Sequence, residues 1–343
     1  MTHIVLPDTE KDRRLVFYLA MEEYVAAHLD TLSGSGVGDA FFLWQVRPTV
    51  IFGRNQVMEA EVNMDYCRAR DIQLYRRKSG GGCVYSDSGN IMLSYITDST
   101  DVTSTFDTYL DRLVACLRRT GVNAEKSGRN DILVDGRKVS GNAFFRKPKS
   151  SIVHGTMLFD SDFDELERAI TPSEAKIMSK GVSSVRQHVT NLRPYYQAIG
   201  SKLEDIDLFK SYLIDSFCEE GDCIVLDDSQ ISEIEKIEAE YLEPSFLEGR
   251  NHSYSVRSGG KIPGVGEVNA EFDIDAGIIV KCHLSGDFFT VADGVDEMLT
   301  ERLKGVALER GAMARALEGA DLQAYVAGLS TEEFMKNCLN FIS

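Results

Sequence analysis

Arg76-Arg77-Lys78-Ser79-Gly80-Gly81-Gly82-Cys83-Val84-Tyr85-Ser86-Asp87-Ser88-Gly89-Asn90 is the stretch on which the reading of the whole chain turns. Three basic residues run into three consecutive glycines, then a short apolar pair, then a second turn at Asp87-Ser88-Gly89-Asn90. Glycine lets the backbone approach a ligand closely and aim successive N–H groups at an anion. Arginine can grip a phosphate or carboxylate in a planar fork. A surface turn with incidental charge would use the same residue types, because glycine clusters most often mark turns. The stretch alone therefore leaves both readings open, and its surroundings have to decide.

Upstream, Phe17, Met21, Tyr24, Val25 and His28 recur at helical spacing and predict an amphipathic helix over 15–29. A Gly/Ser loop follows at 33–39, then two short strands over 40–53 broken at Pro48. The pattern predicts a helix over 59–70, a strand over 73–77 that delivers the chain into the glycines, and another strand over 90–97. Phe106, Leu110, Leu113 and Leu117 share one face of a helix predicted over 104–120, which Gly121 stops.

Downstream, Asp135-Gly136 sits between two strand-forming runs, a strong hairpin signal. The turn places Lys138 on an extended strand, two residues before Ser140-Gly141, and a further strand over 151–160 carries His154-Gly155. Short helices are expected near 163–170 and 173–179, a loop over Lys180 to Arg186, and helices over 203–219 and 229–241. Pro244 and Gly249 suggest a linker near 243–251. Three strands, over 252–256, 266–274 and 277–284, and then a helical remainder make a second, smaller α/β domain over 248–343, after a first over 1–245.

Composition removes several classes. The chain has 343 residues, about two domains at ~150 each, and 43% of them are hydrophobic, enough for a real core. A net charge of −17 argues against a general nucleic-acid binder, which needs a basic face to displace counter-ions. The seven cysteines are odd in number and scattered, with no metal-ligand pairing, as expected of a reduced, cytoplasmic protein. The first 14 residues do not read as a signal peptide, and no apolar run approaches the ~20 residues of a membrane helix.

Taken together and in order, the motifs resemble the lipoate–protein ligase A family of the biotin/lipoate ligase superfamily. The resemblance rests on the Arg-Arg-X-Ser-Gly-Gly-Gly-X-Val-Tyr loop, Gly128-Arg129-Asn130-Asp131, Arg137-Lys138-Val139-Ser140-Gly141, His154-Gly155-Thr156-Met157-Leu158 and Val189-Thr190-Asn191-Leu192. It is strong over 15–195 and weaker through Gly286-Asp287-Phe288. It implies an α/β (α+β) fold: a large mixed-sheet catalytic domain with a smaller C-terminal accessory domain. It also implies an ATP-dependent ligase that turns lipoate or octanoate into an acyl-adenylate. The acyl group then passes to a lysine of a lipoyl domain, in a 2-oxoacid dehydrogenase complex or the glycine cleavage H protein.

Carried over residue by residue, Lys138 is the catalytic cation. Arg77, Gly82, Cys83, Val84, Tyr85, Asn130 and Asp131 would bind ATP, with magnesium as its companion and no identified metal ligand set. Ser79, Gly80, Gly81, Lys138 and His154 would bind the acyl substrate. The superfamily's ATP-independent octanoyl transferases are an alternative, as is a non-catalytic homologue. The transferases carry a nucleophilic cysteine just before the lysine motif, whereas 117–137 here contains none. Arg146-Lys147-Pro148-Lys149 is a basic loop on an acidic protein, suited to steering an acidic partner.

Overall fold

Period-two alternation in three central strands decides the layering. A computed structural model describes residues 1–7, 12–32, 38–128, 130–170, 188–218, 223–249 and 254–338. Strands β1 (Thr2–Val5) and β2 (Asp39–Trp44) are separated by helix α1 (Leu15–His28). Then come β3 (Thr49–Phe52), helices α2 (Met58–Glu61) and α3 (Met64–Ala69), β4 (Gln73–Arg76), β5 (Val84–Ser86) and β6 (Asn90–Thr97). Helix α4 (Val102–Arg119) leads to β7 (Ala124–Ser127), β8 (Asp131–Val134), β9 (Arg137–Lys147), β10 (Ser150–Leu158) and α5 (Phe163–Ala169). With β11 (Cys223–Val225) these make an eight-stranded mixed sheet in the order β11-β1-β2-β6-β10-β9-β8-β7, and a small sheet β4-β3-β5.

Phe41, Ile91, Leu93, Tyr95, Val153 and Met157 point to one side of the large sheet, where α4 and the helix Ile206–Phe217 pack. Phe42, Trp44, Met92, Ile96 and Ile152 point to the other, under α1 and the helix Asp228–Leu242. Ser94 and His154 stand opposite each other in the β6–β10 ladder, on this second side. The small sheet lies over the same side, since Ser86 Oγ of β5 meets Met92 Sδ at 3.5 Å. In the C-terminal region β12 (Val256–Ile262), β13 (Gly266–Asp275) and β14 (Ile278–Gly286) form an antiparallel sheet. It packs on the helices Val295–Leu303 and Thr331–Cys338 around a separate apolar cluster.

The mixed fold and the hairpin are as expected: Asp135 and Gly136 both take positive φ, the primed turn that suits β8–β9. Other features differ. Helix α1 is not half-exposed, because residues 15–26 are all buried between the large sheet and the helix Asp228–Leu242. The helix expected over 59–70 is two, parted at Val62-Asn63, where Asn63 Oδ1 caps α3 by accepting from the Tyr66 N–H at 3.1 Å. The strand expected over 252–256 runs instead from Val256 to Ile262. Its Gly259 allows close backbone approach, since a Cβ there would sit 2.1 Å from the Val268 carbonyl oxygen. Strands β5 and β7 were not anticipated, and a short helix, Pro244–Glu248, occupies the expected linker. The helix expected at 173–179, the loop from Lys180 to Arg186, and Arg129 lie outside the described residues.

A buried carboxylate ties these layers together. Glu23 of α1 accepts from Lys78 Nζ at 2.8 Å, from Lys147 Nζ at 2.7 Å and from the Tyr241 hydroxyl at 2.7 Å. One side chain thus links α1, the glycine loop, β9 and the helix Asp228–Leu242. Burial would raise its pKa, but Lys78, Lys147 and Tyr241 together outweigh that and hold it below the usual value of 4.5. The stabilisation is therefore complete above the unfolded pKa and fades as pH falls through the depressed one. Glu23→Gln should cost about 3–5 kcal/mol of unfolding free energy near neutral pH. The urea midpoints of parent and variant should converge as pH falls through the depressed pKa of Glu23. A gap of constant size down to low pH would contradict this account.

Candidate active site

The glycine loop is shaped from below by two buried guanidiniums. Arg76, 1% exposed, lies 4.6 Å over the Phe52 ring and donates through Nη1 to the carbonyls of Gly53, Arg54 and Gln56. Arg77 donates through Nε and Nη2 to Gly80 O (3.2 and 2.8 Å) and through Nη2 to Gly82 O (2.8 Å). Burial pulls the Arg77 guanidinium down to about 10, so it remains charged at neutral pH. Arg77, expected to hold a phosphate or carboxylate, has its fork on the loop's own carbonyls. By trans-peptide geometry, a Gly82 carbonyl turned in towards Arg77 turns the Cys83 N–H the opposite way.

The three glycines differ in their surroundings. A Cβ on Gly80 would lie 2.3 Å from the Phe288 carbonyl oxygen, and Gly81, at φ +89°, donates its N–H to that oxygen at 3.2 Å. The Phe289 ring sits between the Gly81 position and Phe144, 5.3 Å from the latter ring. Gly80 and Gly81, expected to clear a path for an acyl tail, here accommodate the C-terminal segment. Asn55 Nδ2 to Thr290 Oγ1 (3.0 Å) and Arg54 to Asp293 (2.6 Å) reinforce the same contact. Of the three, Gly82 is the one whose absent Cβ has no other described residue within 4 Å. Beyond it, Val84 and Tyr85 pair with β3 on one side, and among the described residues no strand pairs with the other edge of β5. Cys83 is half-buried.

Lys138 lies on β9 beside a register shift in its pairing with β8. Its strand is pinned by the block at 188–192, through Lys138 N–H to His188 O (2.7 Å) and Thr190 N–H to Lys138 O (2.9 Å). The lysine side chain folds across Gly141, whose Cβ would meet Nζ at 2.6 Å, and reaches Asp131 Oδ1 at 2.7 Å. Both charged groups are about one-third exposed. Gly141, over which the Lys138 ammonium lies, pairs with Thr156, two positions along β10 from His154, so that ammonium and His154 are offset by roughly 7 Å along the strand direction.

Asn130, expected to orient a nucleotide, is engaged by the fold. Its Nδ2 donates to Asn142 O at 2.8 Å, and its own carbonyl accepts from the Asn142 backbone N–H (2.9 Å) and Nδ2 (3.0 Å). Gly155 is glycine because Asn142 Oδ1 fills the place of its side chain, 1.9 Å from a Cβ built there. His154 and Ser79 meet, Nε2 to Oγ, at 2.7 Å, and His154 Nδ1 lies 2.8 Å from Glu22 Oε2. Asn142, Glu22 and Ser94 are the polar members that sequence reading did not single out. For Glu22 a signal was present: two acids, Glu22-Glu23, interrupt an otherwise apolar helix. Among the described residues no group of three His, Cys, Asp or Glu could hold a metal ion, and no helix is long and apolar enough to cross a membrane.

The family described as the lipoyl protein ligase A/B catalytic domain matches residues 15–218, and the bacterial lipoate protein ligase C-terminus matches 251–337. The chain is 34% identical over 325 residues to lipoate–protein ligase LplJ of Bacillus subtilis, covering 92% of this chain and 94% of that protein. It is 36% identical over 324 residues to lipoate–protein ligase 1 of Staphylococcus aureus, covering 93% and 94%. Its fold matches P. falciparum LipL1 in complex with lipoate at TM-score 0.73 and 18% identity, over 98% and 97% of the chains. It matches a bipartite archaeal lipoate protein ligase, described with its E2 lipoyl domain, from Thermoplasma acidophilum, at TM-score 0.60 and 25% identity, over 74% and 98%. A lipoate–protein ligase A bound with ATP matches at TM-score 0.58 and 24% identity, over 73% and 99%.

Because Gly80 abuts backbone, no rotamer change can relieve a Cβ placed there. Gly80→Ala should detach the segment at Phe288-Phe289 at a cost of about 1–3 kcal/mol. Hydrogen exchange should accelerate at the Gly81 N–H and through residues 286–290 while the β6–β10–β9 ladder stays protected. Unchanged exchange at Gly81 would show that the contact does not hold the loop.

Proposed function

We infer that this chain, which belongs to the lipoyl protein ligase A/B family, is a lipoate–protein ligase working through an acyl-adenylate. We take 1–245 as the catalytic unit and 248–343 as the accessory unit. A free carboxylate oxygen of lipoate or octanoate attacks the α-phosphorus of ATP, and the bond to the β-phosphate oxygen breaks as pyrophosphate leaves. A lysine amine of a lipoyl domain then attacks the acyl carbon, AMP departs, and an amide remains. Acceptors of this kind belong to 2-oxoacid dehydrogenase complexes and the glycine cleavage H protein.

One observation carries the reading. Lys138 holds its ammonium over Gly141, on the face beneath the glycine loop, with Asp131 as its ion-pair partner. A fixed cation aimed at the α-phosphate stabilises the charge that builds there, often the largest single contribution to such catalysis. Lysine suits this as a compact, mobile point charge. The room at Gly82 and the outer edge of β5, both open among the described residues, fit a nucleotide along Gly82, Cys83, Val84 and Tyr85. Ser79 and His154 would line the acyl end.

Magnesium commonly binds through one or two carboxylates plus substrate phosphates rather than an all-protein cage. Asp131 fits as the protein's ligand, and the ion would supply neutralising charge for the departing pyrophosphate. ATP–pyrophosphate exchange with lipoate, octanoate and biotin supplied separately tests the reading, because a transferase would show none.

Lys138→Ala should leave the fold intact and reduce adenylate formation by about 2.7–4 kcal/mol of activation free energy. Near-parental exchange in the folded variant would remove Lys138 from the mechanism.

The basic turn at Arg146-Lys147-Pro148-Lys149 joins β9 to β10, and its Arg146 and Lys149 are exposed. Lys147 is engaged by buried Glu23, so it belongs to the fold rather than to steering. Reversing only Arg146 and Lys149 to Glu should slow transfer to an acidic lipoyl domain about tenfold at low ionic strength, with the difference vanishing in high salt. Adenylate formation from free lipoate should not change. Equal transfer rates at low salt would leave the segment as merely a turn.

A further inference from the structure

Strands β9 and β10 part beside Lys138, and a short segment of chain joins them again. Their ladder ends at the pair Ser140–Met157. Against β8, Ile132 faces Ser140 and Leu133 faces Lys138, so Val139 is an extra residue in β9. Such a bulge re-aims the side chains next to it. In a regular strand Lys138 would share a face with Ser140. Instead its Nζ lies over Gly141, while Val139 is fully buried in the apolar cluster under α4. The bulge thus gives the lysine its face and also opens a gap towards β10.

Residues 188–193 close that gap. Val189 forms a parallel bridge with Lys138, in which the Lys138 N–H donates to His188 O and the Thr190 N–H donates to Lys138 O. The same segment then bonds the end of β10, through the Leu192 N–H to Leu158 O (2.9 Å) and the Arg193 N–H to Phe159 O (3.0 Å). Between these anchors stands Asn191. Its Oδ1 accepts from the Ser161 N–H at 3.0 Å, and its Nδ2 donates to Ser161 O at 3.0 Å. Ser161 lies in the corner after β10, which also holds the turn that follows β5. There Gly89 O accepts from the N–H groups of Phe159 (3.1 Å) and Asp160 (2.8 Å), and Asp87 Oδ2 accepts from that of Asp162 (2.8 Å). Asn191 therefore stands where the support of Lys138 meets the support of β5.

We propose that Asn191 is a positioning residue for Lys138, an inference that rests on the ligase reading. The lysine main chain has β8 on one side and the bridge to Val189 on the other. Asn191 fixes where that bridge can lie, and the bridge fixes the root of the lysine side chain. Asparagine suits the task because one uncharged group both donates and accepts. An aspartate there would keep only the accepting half and would add a negative charge. A misplacement of about 1 Å at a catalytic group can cost about 100-fold in rate, even when its cause is remote. Asn191 touches no substrate in this scheme and acts only through Lys138.

The test is a double-mutant cycle in the full chain, read by ATP–pyrophosphate exchange with lipoate. Asn191→Ala should slow exchange at least about tenfold where Lys138 is present. In the Lys138→Ala background the same change should slow the residual rate less than about twofold, because the cation it positions is gone. Equal losses in the two backgrounds mean that Asn191 supports the fold in general, and they overturn the proposal; so does undiminished exchange in the single variant. A second readout needs no activity. Amide hydrogen exchange at Lys138 and Thr190 should quicken in Asn191→Ala while the β6–β10 ladder stays protected, and unchanged protection at those two amides also overturns the proposal. Should Asn191→Ala fail to fold, Asn191→Asp keeps the volume and the accepting oxygen but loses the donor to Ser161 O, and the same cycle gives the same decision. A parent chain with no lipoate-dependent exchange would instead remove the ligase reading itself, so the two failures are distinguishable.

Discussion

Everything at this site depends on burying Arg77 as a charge. Removing a guanidinium from water is costly unless hydrogen bonds replace the lost hydration. Here the replacements are carbonyls of the loop that follows it, at Gly80 and Gly82. A hydrogen bond to a charged group contributes about 1.5–3 kcal/mol, so these contacts bend the loop around the side chain rather than merely decorating it. The bend needs residues without Cβ atoms. Gly81 takes φ +89°, and a Cβ on Gly53 would lie 2.0 Å from the Gly81 oxygen. Arg76 does the same for the facing turn at 53–56. Two adjacent arginines, at the end of β4 and just after it, thus set two facing loops.

From that constraint the division of labour among the glycines follows. Gly80 and Gly81 are filled from outside by the Phe288-Phe289 backbone and ring. Gly53 is filled by the loop itself. Gly82 is met by no other residue among those described. Within this run of identical residues, Gly80 and Gly81 meet the C-terminal segment, Gly81 also making the turn, and Gly82 lies open among the described residues beside the outer edge of β5.

The sequence made the architecture legible where local chemistry and the fold agree. Asp135-Gly136 demanded a primed turn, and the α4 face carrying Phe106, Leu110, Leu113 and Leu117 demanded a core. It was legible as a family because several motifs recur in order, and less legible in the roles of single residues. Arg77 and Asn130 are types that bind phosphate, but their partners, Gly80 O, Gly82 O and Asn142 O, are backbone atoms whose direction only the fold fixes. Glu22 was hidden for a different reason. Helical periodicity assigns an acid to the solvent side, and α1 has no solvent side, because a second helix covers the face that the sheet does not. The strand at Val256–Ile262 was missed because Gly259-Gly260 reads as a turn, although Gly259 is needed for the close approach of β13.

What the fold leaves unused locates the chemistry better than what it uses. In the layer between α1, the glycine loop and the large sheet, Arg76, Arg77, Lys78 and Lys147 are all committed to carbonyls or to Glu23 and Glu240. Lys138 is set apart from them. It is one-third exposed, its partner Asp131 is equally exposed, and the atoms across which it lies belong to a glycine. The Lys138 side chain is more accessible than the other cations, whereas the Asp131 Oδ1 it meets is itself buried. The buried pairs cannot be broken without leaving an uncompensated charge. A frame of internally bonded cations around one more accessible cation is the arrangement that electrostatic preorganisation would use in the proposed reaction, with Lys138 placed to meet the charge developing on phosphate.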